Sequence, residues 1–334
     1  MNKDHPLEHP RNPVTPVNPV NKFRSLRARQ FKGLILLILT AAVLSFPGPI
    51  IPGPRRALCI LTSNAPPYRE NLDGIKARFE GKIDVAVMDA DTARLAASIA
   101  SDPPGLIFAI GSSAAEFAAR RGQAVLFSMV YYPERHGLTG RENVAGLSLR
   151  VPPGKVVEAL EAVRPRGKEK LRVGVLYPAG RDDAELKAII AALSRYGHVA
   201  VPRLVAAGQD PGPAFLALLQ EIDALWLVAD PAVLPGPDFL KSMLNKALDK
   251  KVAVIGLSDA HVRTGALLAV SVDYRLEGET AARLGAEIIV GKSPSSIGIL
   301  APQNLAWSLN TKVAEEIGWQ VPRPARQRFE RVYP

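Results

Sequence analysis

From Ala57 onward the chain alternates short apolar runs with amphipathic segments of helical length, and this alternation restricts the possible folds more than any other feature. The runs are rich in Val, Ile and Leu, which predicts strands buried on both faces of a parallel sheet. A parallel connection needs a crossover, and the helical segments between the runs supply it. The body of the chain is therefore predicted to be α/β with parallel sheets.

The predicted elements form two series, each sufficient for an open α/β sheet. The first has strands at 57–61, 83–88, 105–110, 124–128 and 144–149, with helices beginning near Tyr68, Thr92 and Ser113. The second has strands at 171–176, 199–205, 224–228 and 252–256 and helices at 153–163, 182–196, 213–219 and 238–248. Two series of this length predict two similar Rossmann-like lobes of ordinary domain size.

The simple alternation stops after residue 264, where a strand (265–271), a long helix (275–290), a strand (305–309) and a helix (311–317) follow. Such pieces are expected if the chain passes back between the lobes.

We predict crossings near 149–152, 261–265 and 294–302, which make a multi-strand hinge. Residues 57–150 with about 265–293 are assigned to lobe 1, and residues 151–264 with about 294–322 to lobe 2.

Residues 1–56 are predicted to be a disordered tail, a signal peptide or anchor, and a Pro/Gly spacer. Residues 1–21 hold five prolines without apolar periodicity, residues 22–32 hold five positive charges, and residues 33–46 hold none. A basic stretch before an apolar one is typical of a secretory signal. Fourteen helical residues reach only about 21 Å, short of a hydrocarbon core of about 30 Å. An uncleaved membrane anchor is the alternative.

The net charge of +10 is concentrated in this N-terminal segment, which has nine basic and two acidic residues. The body carries about +3 without a basic stripe interleaved with aromatics, so a nucleic-acid partner is not expected. Cys59 is the single cysteine, predicted to lie in a strand core, and five scattered histidines predict no metal site. We expect no cofactor.

Four stretches are shared with a known family: AIGSSAA (109–115), RVGVLY (172–177), LWLVADPAV (225–233) and, most specifically, VIGLSDAHVRTGA (254–266). The chain resembles the ABC transporter substrate-binding proteins of the type I periplasmic-binding-protein fold, in the branch that includes tryptophan-binding members. The resemblance covers about residues 57–322.

The resemblance implies an extracytoplasmic solute-binding protein of an ABC importer that closes on a small molecule, docks on a permease and catalyses no reaction. We expect a monomer. Family members commonly have Thr-Pro and Thr-Asp-Pro-like turns where this chain has Ser112-Ser113 and Tyr131-Tyr132-Pro133. The ligand can therefore differ from theirs.

Candidate ligand-binding residues follow predicted strands, because open α/β sheets bind ligands beyond the carboxyl ends of their strands. The first lobe supplies Ser63, Tyr68, Gly111, Ser112, Ser113, Tyr131 and Tyr132, and the second supplies Tyr177, Asp230, Ser258 and Asp259. Gly111, Ser112 and Ser113 would accept an anion at a helix N-terminus, and the aspartates an ammonium group. The tyrosines favour an apolar or aromatic portion.

Each of these residues also has a structural explanation, as a helix cap or as packing. An exported two-lobed enzyme such as a glycosyltransferase or a hydrolase is the alternative function. The segment Gly256-Leu257-Ser258-Asp259-Ala260 resembles a nucleophile elbow, but the only later histidine is His261, three residues beyond the serine. A repressor sensor shares the fold, yet the export segment stands where its DNA-binding domain would be.

Overall fold

The structure is a computed structural model that describes residues 56–88, 92–181 and 183–334. The predicted tail, export segment and nearly all of the spacer therefore lie outside the described residues. Within the described ranges no helix is both long and apolar enough to cross a membrane. Cys59 lies in a buried strand, as predicted, and burial raises the pKa of its thiol to about 12.

The first series folds as predicted into strands that alternate with helices. Its elements are β1 (Ala57–Leu61), α1 (Pro66–Arg78), β2 (Ile83–Val87), α2 (Thr92–Ser101), β3 (Leu106–Ile110), α3 (Ser112–Ala119), β4 (Val125–Val130) and β5 (Val144–Ser148). The sheet has the order β2-β1-β3-β4-β5 with parallel pairing throughout. Buried apolar side chains pack on both of its faces.

The second series follows the same pattern. Its elements are α4 (Pro153–Val163), β6 (Arg172–Pro178), α5 (Ala184–Arg195), β7 (Val199–Val205), α6 (Pro211–Leu218), β8 (Ala224–Trp226), α7 (Pro237–Asp249), β9 (Ala253–Gly256), α8 (Asp259–Thr264) and β10 (Leu268–Val272). Several helices start at a proline, whose fixed φ and missing N–H suit the first turn.

The last part of the chain visits both sheets. It comprises α9 (Tyr274–Ile289), α10 (Pro294–Ile297), β11 (Ile299–Leu300), β12 (Leu305–Asn310), α11 (Thr311–Glu316), α12 (Arg323–Arg326) and β13 (Arg331–Tyr333). Strand β11 pairs with β5 and completes a six-stranded first sheet. Strands β12 and β13 extend the second sheet to seven strands, in the order β13-β12-β10-β9-β8-β6-β7. Each sheet with the helices packed on it is called a lobe below.

The sheet pairing differs from the predicted division of the chain in two places. Strand β10, which was placed with lobe 1, lies in the second sheet between β9 and β12. Strand β11, which was placed with lobe 2, lies in the first. All five residues of β10 are buried, so this run satisfies an interior position of a sheet. The three crossings are therefore residues 149–152, Asp273 and residues 301–304.

Helices α1 and α9 pack closely and join the beginning of lobe 1 to a segment near the end of the chain. A Cβ at Gly74 would lie 2.0 Å from a carbonyl oxygen of α9, and one at Gly278 would lie 2.0 Å from a carbonyl oxygen of α1. The buried Asn71 side chain donates to the Tyr274 carbonyl at 2.9 Å and accepts from the Ser128 hydroxyl at 2.7 Å. Only glycines allow the two backbones to approach so closely.

The third crossing is fixed to α9 by a buried carboxylate. Glu277 is 1% exposed and accepts from the backbone amides of Gln303 and Asn304, each at 3.2 Å, and from the Asn304 side chain at 3.0 Å. Burial raises the pKa of Glu277, and these hydrogen bonds oppose that rise. The crossing is thus held by bonds to a side chain of lobe 1.

Candidate functional site

A cavity of about 560 Å³ is lined by residues of both lobes, of the first and third crossings, and of the positions on either side of the second crossing. Lobe 1 contributes Tyr131, and the first crossing contributes residues 149–152. Tyr274 directly follows the second crossing, and Ala301 belongs to the third. The second lobe contributes most of the remaining wall, including Ala188, Ile189, Trp226 and Ser258. Its size falls within the range usual for small-molecule sites, and most of its lining is apolar.

The chain reaches the cavity from lobe 1 through a bulge at the end of β4. The β4–β5 register shifts between Phe127 and Val130, and Met129 has φ of 61° although it is not glycine. A buried side chain in this conformation stores about 1 to 3 kcal/mol of strain, which the surrounding packing has to offset. Bulges next to sites redirect the following side chains, and here Tyr131 and Tyr132 follow directly.

Tyr131 and Tyr132 pack edge to face, with ring centroids 4.8 Å apart. Tyr131 lines the cavity, whereas Tyr132 is buried beside it and is not part of the lining. Burial raises the pKa of both phenols, and the neighbouring Glu185 carboxylate raises them further. Both hydroxyls are therefore neutral donors at ordinary pH.

Glu185 connects the two lobes at the cavity wall. It lies in the first turn of α5, and its Oε2 accepts a hydrogen bond of 3.0 Å from the Tyr132 hydroxyl. Burial raises the pKa of Glu185, while the Tyr132 hydrogen bond and the positive charge of Arg150 work against that rise. Glu185 itself lines the cavity, so this carboxylate is part of the surface a ligand would meet.

Asp230 forms a second connection between the lobes. Its side chain is fully buried, and its Oδ2 pairs with Arg135 Nη1 of lobe 1 at 3.0 Å and with Arg181 Nη2 of lobe 2 at 3.4 Å. The other oxygen accepts the Ala232 amide at 3.0 Å. The Arg135 guanidinium also lies 3.6 Å from the centroid of the Tyr132 ring. Asp230 was predicted to accept a ligand's ammonium group, but in this structure two arginines occupy it and it does not line the cavity.

The serine edge, by which we mean Gly111, Ser112 and Ser113, lies at the start of α3 and outside the cavity lining. Gly111 has φ of 96°, and a Cβ there would lie 2.5 Å from the Thr62 hydroxyl, so the position requires glycine. The Thr62 hydroxyl, in the residue that follows β1, accepts the Ala114 amide at 3.2 Å and so caps the helix. Among the described residues neither serine hydroxyl has a hydrogen-bond partner.

The other predicted residues of lobe 1 are placed around the serine edge. The Ser63 hydroxyl accepts the Ala65 amide at 3.3 Å, which gives it a local turn role. The Tyr68 ring lies against Gly111, where its Cε1 would be 2.9 Å from an added Cβ, and it packs on the core of lobe 1. Neither lines the cavity.

In lobe 2 the structure separates the predicted residues. Ser258 lines the cavity at the start of α8. Asp259 points elsewhere: its Oδ1 accepts from the Ser308 hydroxyl at 2.8 Å and the Tyr333 hydroxyl at 2.7 Å, and its Oδ2 pairs with Arg263 at 3.2 Å. Tyr177 is 2% exposed within β6 and belongs to the core of lobe 2. Asp259 therefore binds secondary-structure elements together.

The segment that resembles a nucleophile elbow is not arranged as a catalytic triad. Among the described residues Ser258 and His261 share no hydrogen bond, and His261 Nδ1 instead accepts the Leu257 amide at 3.2 Å. Burial lowers the pKa of His261, so its ring is neutral at ordinary pH. The described residues also contain no cluster of three or more side chains suited to a metal ion.

Sequence reasoning missed three residues that shape the cavity or its surroundings: Glu185, Arg150 and Trp226. Glu185 follows the second-lobe strand 171–176 at the start of a predicted helix, which is the position used for the other candidates, so position alone could have suggested it. Arg150 immediately follows a predicted strand. Trp226 lies inside a buried strand, and no local pattern distinguishes a strand residue that lines a cavity from one in the core.

A family model for ABC transporter substrate-binding proteins matches residues 73–325. A tyrosine-binding protein of Clostridioides difficile strain R20291 is 24% identical over 239 residues, which are 68% of this chain and 66% of that protein. The chain thus spans just under two thirds of that relative's length.

Solved structures of low sequence identity share the fold. The ligand-free, open form of a substrate-binding protein with adhesive properties from Clostridium difficile has a TM-score of 0.65 at 21% identity, covering 84% of this chain and 98% of that one. An ABC domain in complex with L-Trp from Streptococcus pneumoniae has a TM-score of 0.59 at 18% identity, covering 83% and 100%. The predicted two-lobed α/β fold, that of type I periplasmic binding proteins, is confirmed.

Proposed function

Because the chain belongs to the ABC transporter substrate-binding protein family, we propose that it captures a small molecule between its lobes and delivers it to an ABC importer. The observation that carries this proposal is the cavity of about 560 Å³, which draws its lining from both lobes and from the first and third crossings between them. A ligand in such a place contacts groups that separate when the lobes part. Its binding energy therefore favours the closed arrangement.

The proposed ligand has an apolar or aromatic body and an anionic group, and an aromatic amino acid is the first candidate. The tyrosine-binding relative and the L-Trp complex support this choice. The apolar wall around Ile189 and Trp226 suits the body of such a ligand. The serine edge remains the predicted seat of the anionic group, because its two hydroxyls have no partner in the described part of the chain and lie at a helix N-terminus.

The proposed cycle is a hinge motion without bond chemistry. Ligand bridges the lobes, the three crossings bend, and the closed form docks as a monomer on a permease in the membrane. We place the protein outside the cytoplasmic membrane, with residues 22–46 as its cleaved export signal or retained anchor. The Tyr132–Glu185 and Arg135–Asp230 contacts would form each time the lobes close.

A thermal-shift screen of the full chain against amino acids, small peptides, purines and sugars tests this function. A ligand at a hundredfold its Kd should stabilise the protein by about 2.7 kcal/mol. Calorimetric titration of each positive compound then gives its affinity. Turnover of a substrate, with no compound that stabilises the protein, would instead identify an exported two-lobed enzyme.

A further inference from the structure

Glu185 differs from the other acids around the cavity because it has no positive partner. Among the described residues no Lys, Arg or His nitrogen lies within the 4.0 Å of an ion pair with its carboxylate. Its Oε2 is bonded to Tyr132, and its Oε1 has no hydrogen-bond partner in the same residues. A carboxylate on a largely apolar wall is costly unless a cation or a proton compensates it.

The neighbouring acids are already occupied. Asp230 is held by two arginines and a backbone amide. Glu134 pairs with Arg150 at 3.2 Å. Glu185 is therefore the acid of this region with an unused acceptor, and it is also the acid that lines the cavity.

We propose that Glu185 is the specificity-determining acid of the cavity and that it holds the ammonium group of an amine-bearing ligand whose apolar body lies along Ile189 and Trp226. This assignment rests on the proposed function. It transfers to Glu185 the role that the sequence suggested for Asp230, and it leaves Asp230 to connect the lobes.

The charges that face Glu185 leave room for an added cation. Arg150 in the first crossing and Arg135 in lobe 1 lower the pKa of Glu185, whereas Glu134 raises it. Tyr131 and Tyr132 contribute neutral hydroxyls. Burial raises the pKa of the carboxyl by more than the Tyr132 hydrogen bond and the two arginines lower it. An ammonium group bonded to Oε1 would lower that pKa again, so ligand binding and ionisation of Glu185 would reinforce each other.

The test uses matched ligand pairs that differ only in the amine. Each pair joins an amino acid to its amine-free acid: L-tyrosine with 3-(4-hydroxyphenyl)propanoate, L-tryptophan with 3-(indol-3-yl)propanoate, and L-leucine with 4-methylpentanoate. Titration calorimetry of the full chain measures the ratio of Kd values within each pair. We expect the wild type to prefer an amine-bearing member at least tenfold, and Glu185→Gln to reduce that preference at least tenfold.

Two further variants separate recognition from folding. Glu185→Asp keeps the charge, so it should retain the preference while weakening both affinities. Glu158→Gln removes a partly exposed acid of α4 that pairs with Lys155 and Arg328, and it should leave the ratio unchanged. Melting curves without ligand establish that each variant is folded.

The possible outcomes distinguish the inference from the function on which it depends. An unchanged ratio in folded Glu185→Gln, or equal binding of both members by the wild type, overturns the role of Glu185 and leaves the binding function standing. The same holds if only compounds without an ammonium group, such as purines or neutral sugars, bind. If no compound in the panel or the wider screen binds the wild type, the proposed function itself fails.

Discussion

The serine edge of lobe 1 and the acids of lobe 2 differ in how many of their hydrogen-bonding atoms the protein already uses. Ser112 and Ser113 carry hydroxyls without partners among the described residues. Asp230 and Asp259 each make three contacts to neighbouring groups. Residues at similar strand-end positions can thus either bind a ligand or stabilise the fold. The number of their hydrogen-bonding atoms that already have protein partners distinguishes these two roles.

The serine edge and the acids of lobe 2 were both predicted to bind ligand, but their contacts in the structure differ. The serine edge can receive a ligand group without giving up an internal bond, but it lies outside the cavity. The cavity has an apolar wall and one acid, Glu185, whose Oε1 has no hydrogen-bond partner among the described residues. The following variants test whether this division is correct, beginning with the largest expected effect.

Filling the cavity should have the largest effect on binding. Ala188 is an exposed residue of α5 that lines the cavity, so Ala188→Trp places an indole there without disturbing a core. We expect the Kd of a ligand found in the screen to rise at least a hundredfold, measured by calorimetry. Ala97→Trp, at an exposed position of α2 outside the lining, is the matched control. Unchanged affinity in Ala188→Trp would move the ligand out of the cavity.

Removing the Asp230 carboxylate should reduce stability more than it alters ligand choice. Asp230→Ala leaves Arg135 and Arg181 without their shared partner, and because both are partly exposed we expect a loss of about 2 to 3 kcal/mol in urea unfolding. Glu287→Ala, which removes an acid paired with Arg283 and Lys292 at the surface, should cost at most about 1 kcal/mol. A loss of amine preference with unchanged stability would return the ammonium site to Asp230.

The pH dependence of stability reports on Glu185 directly. Its pKa is raised in the folded state above the ordinary 4.5, so its contribution is fully present below pH 4.5 and is lost as the pH rises through the folded pKa. Glu185→Gln should therefore lose less unfolding free energy over that pH range than the wild type. The pKa of Glu277 is raised as well. Its contribution is the same in the wild type and in Glu185→Gln, so it cancels in the difference between their unfolding free energies, measured with urea at each pH. If the unfolding free energies of the two proteins changed equally with pH, Glu185 would not be buried as described.

The smallest effect is expected at the serine edge. Ser113 is exposed and its hydroxyl has no partner among the described residues, so Ser113→Ala should change unfolding free energy by no more than about 0.5 kcal/mol. If the edge receives an anionic group, the Kd of a carboxylate-bearing ligand should rise roughly fivefold, the loss of about one hydrogen bond. An unchanged Kd would confine recognition to the cavity.

Much of the fold could be predicted from local pattern. The strands at 57–61 and 199–205 and the helix at 153–163 have the predicted bounds, because apolar periodicity and prolines mark them. Sheet membership near the end of the chain could not be predicted in this way. Strand β11 has two residues, and its partner β5 is far away in the sequence.

The site was harder to predict from the sequence than the fold, because its contacts also join residues that are far apart in the chain. Tyr131 and Ser258, which were chosen for their strand-end positions, line the cavity, and their contact with a ligand stays a prediction. The occupation of Asp230 depends on Arg135, which lies 95 residues earlier in the chain. Partners that are distant in the sequence decide whether the oxygens of an acid already accept hydrogen bonds. Residue type and position in the sequence do not reveal such partners.

The packing of α1 against α9 has a consequence for the order in which the protein can be made. Asn71 and Tyr274 are 203 residues apart, yet their hydrogen bond belongs to the core contact of lobe 1. A chain built from its N-terminus has every strand of lobe 2 up to β10 before α9 exists. Contacts of such long sequence separation form slowly. Lobe 1 is synthesised first but cannot complete its core until α9 has been made. Until then it exposes an apolar face to which a chaperone could bind.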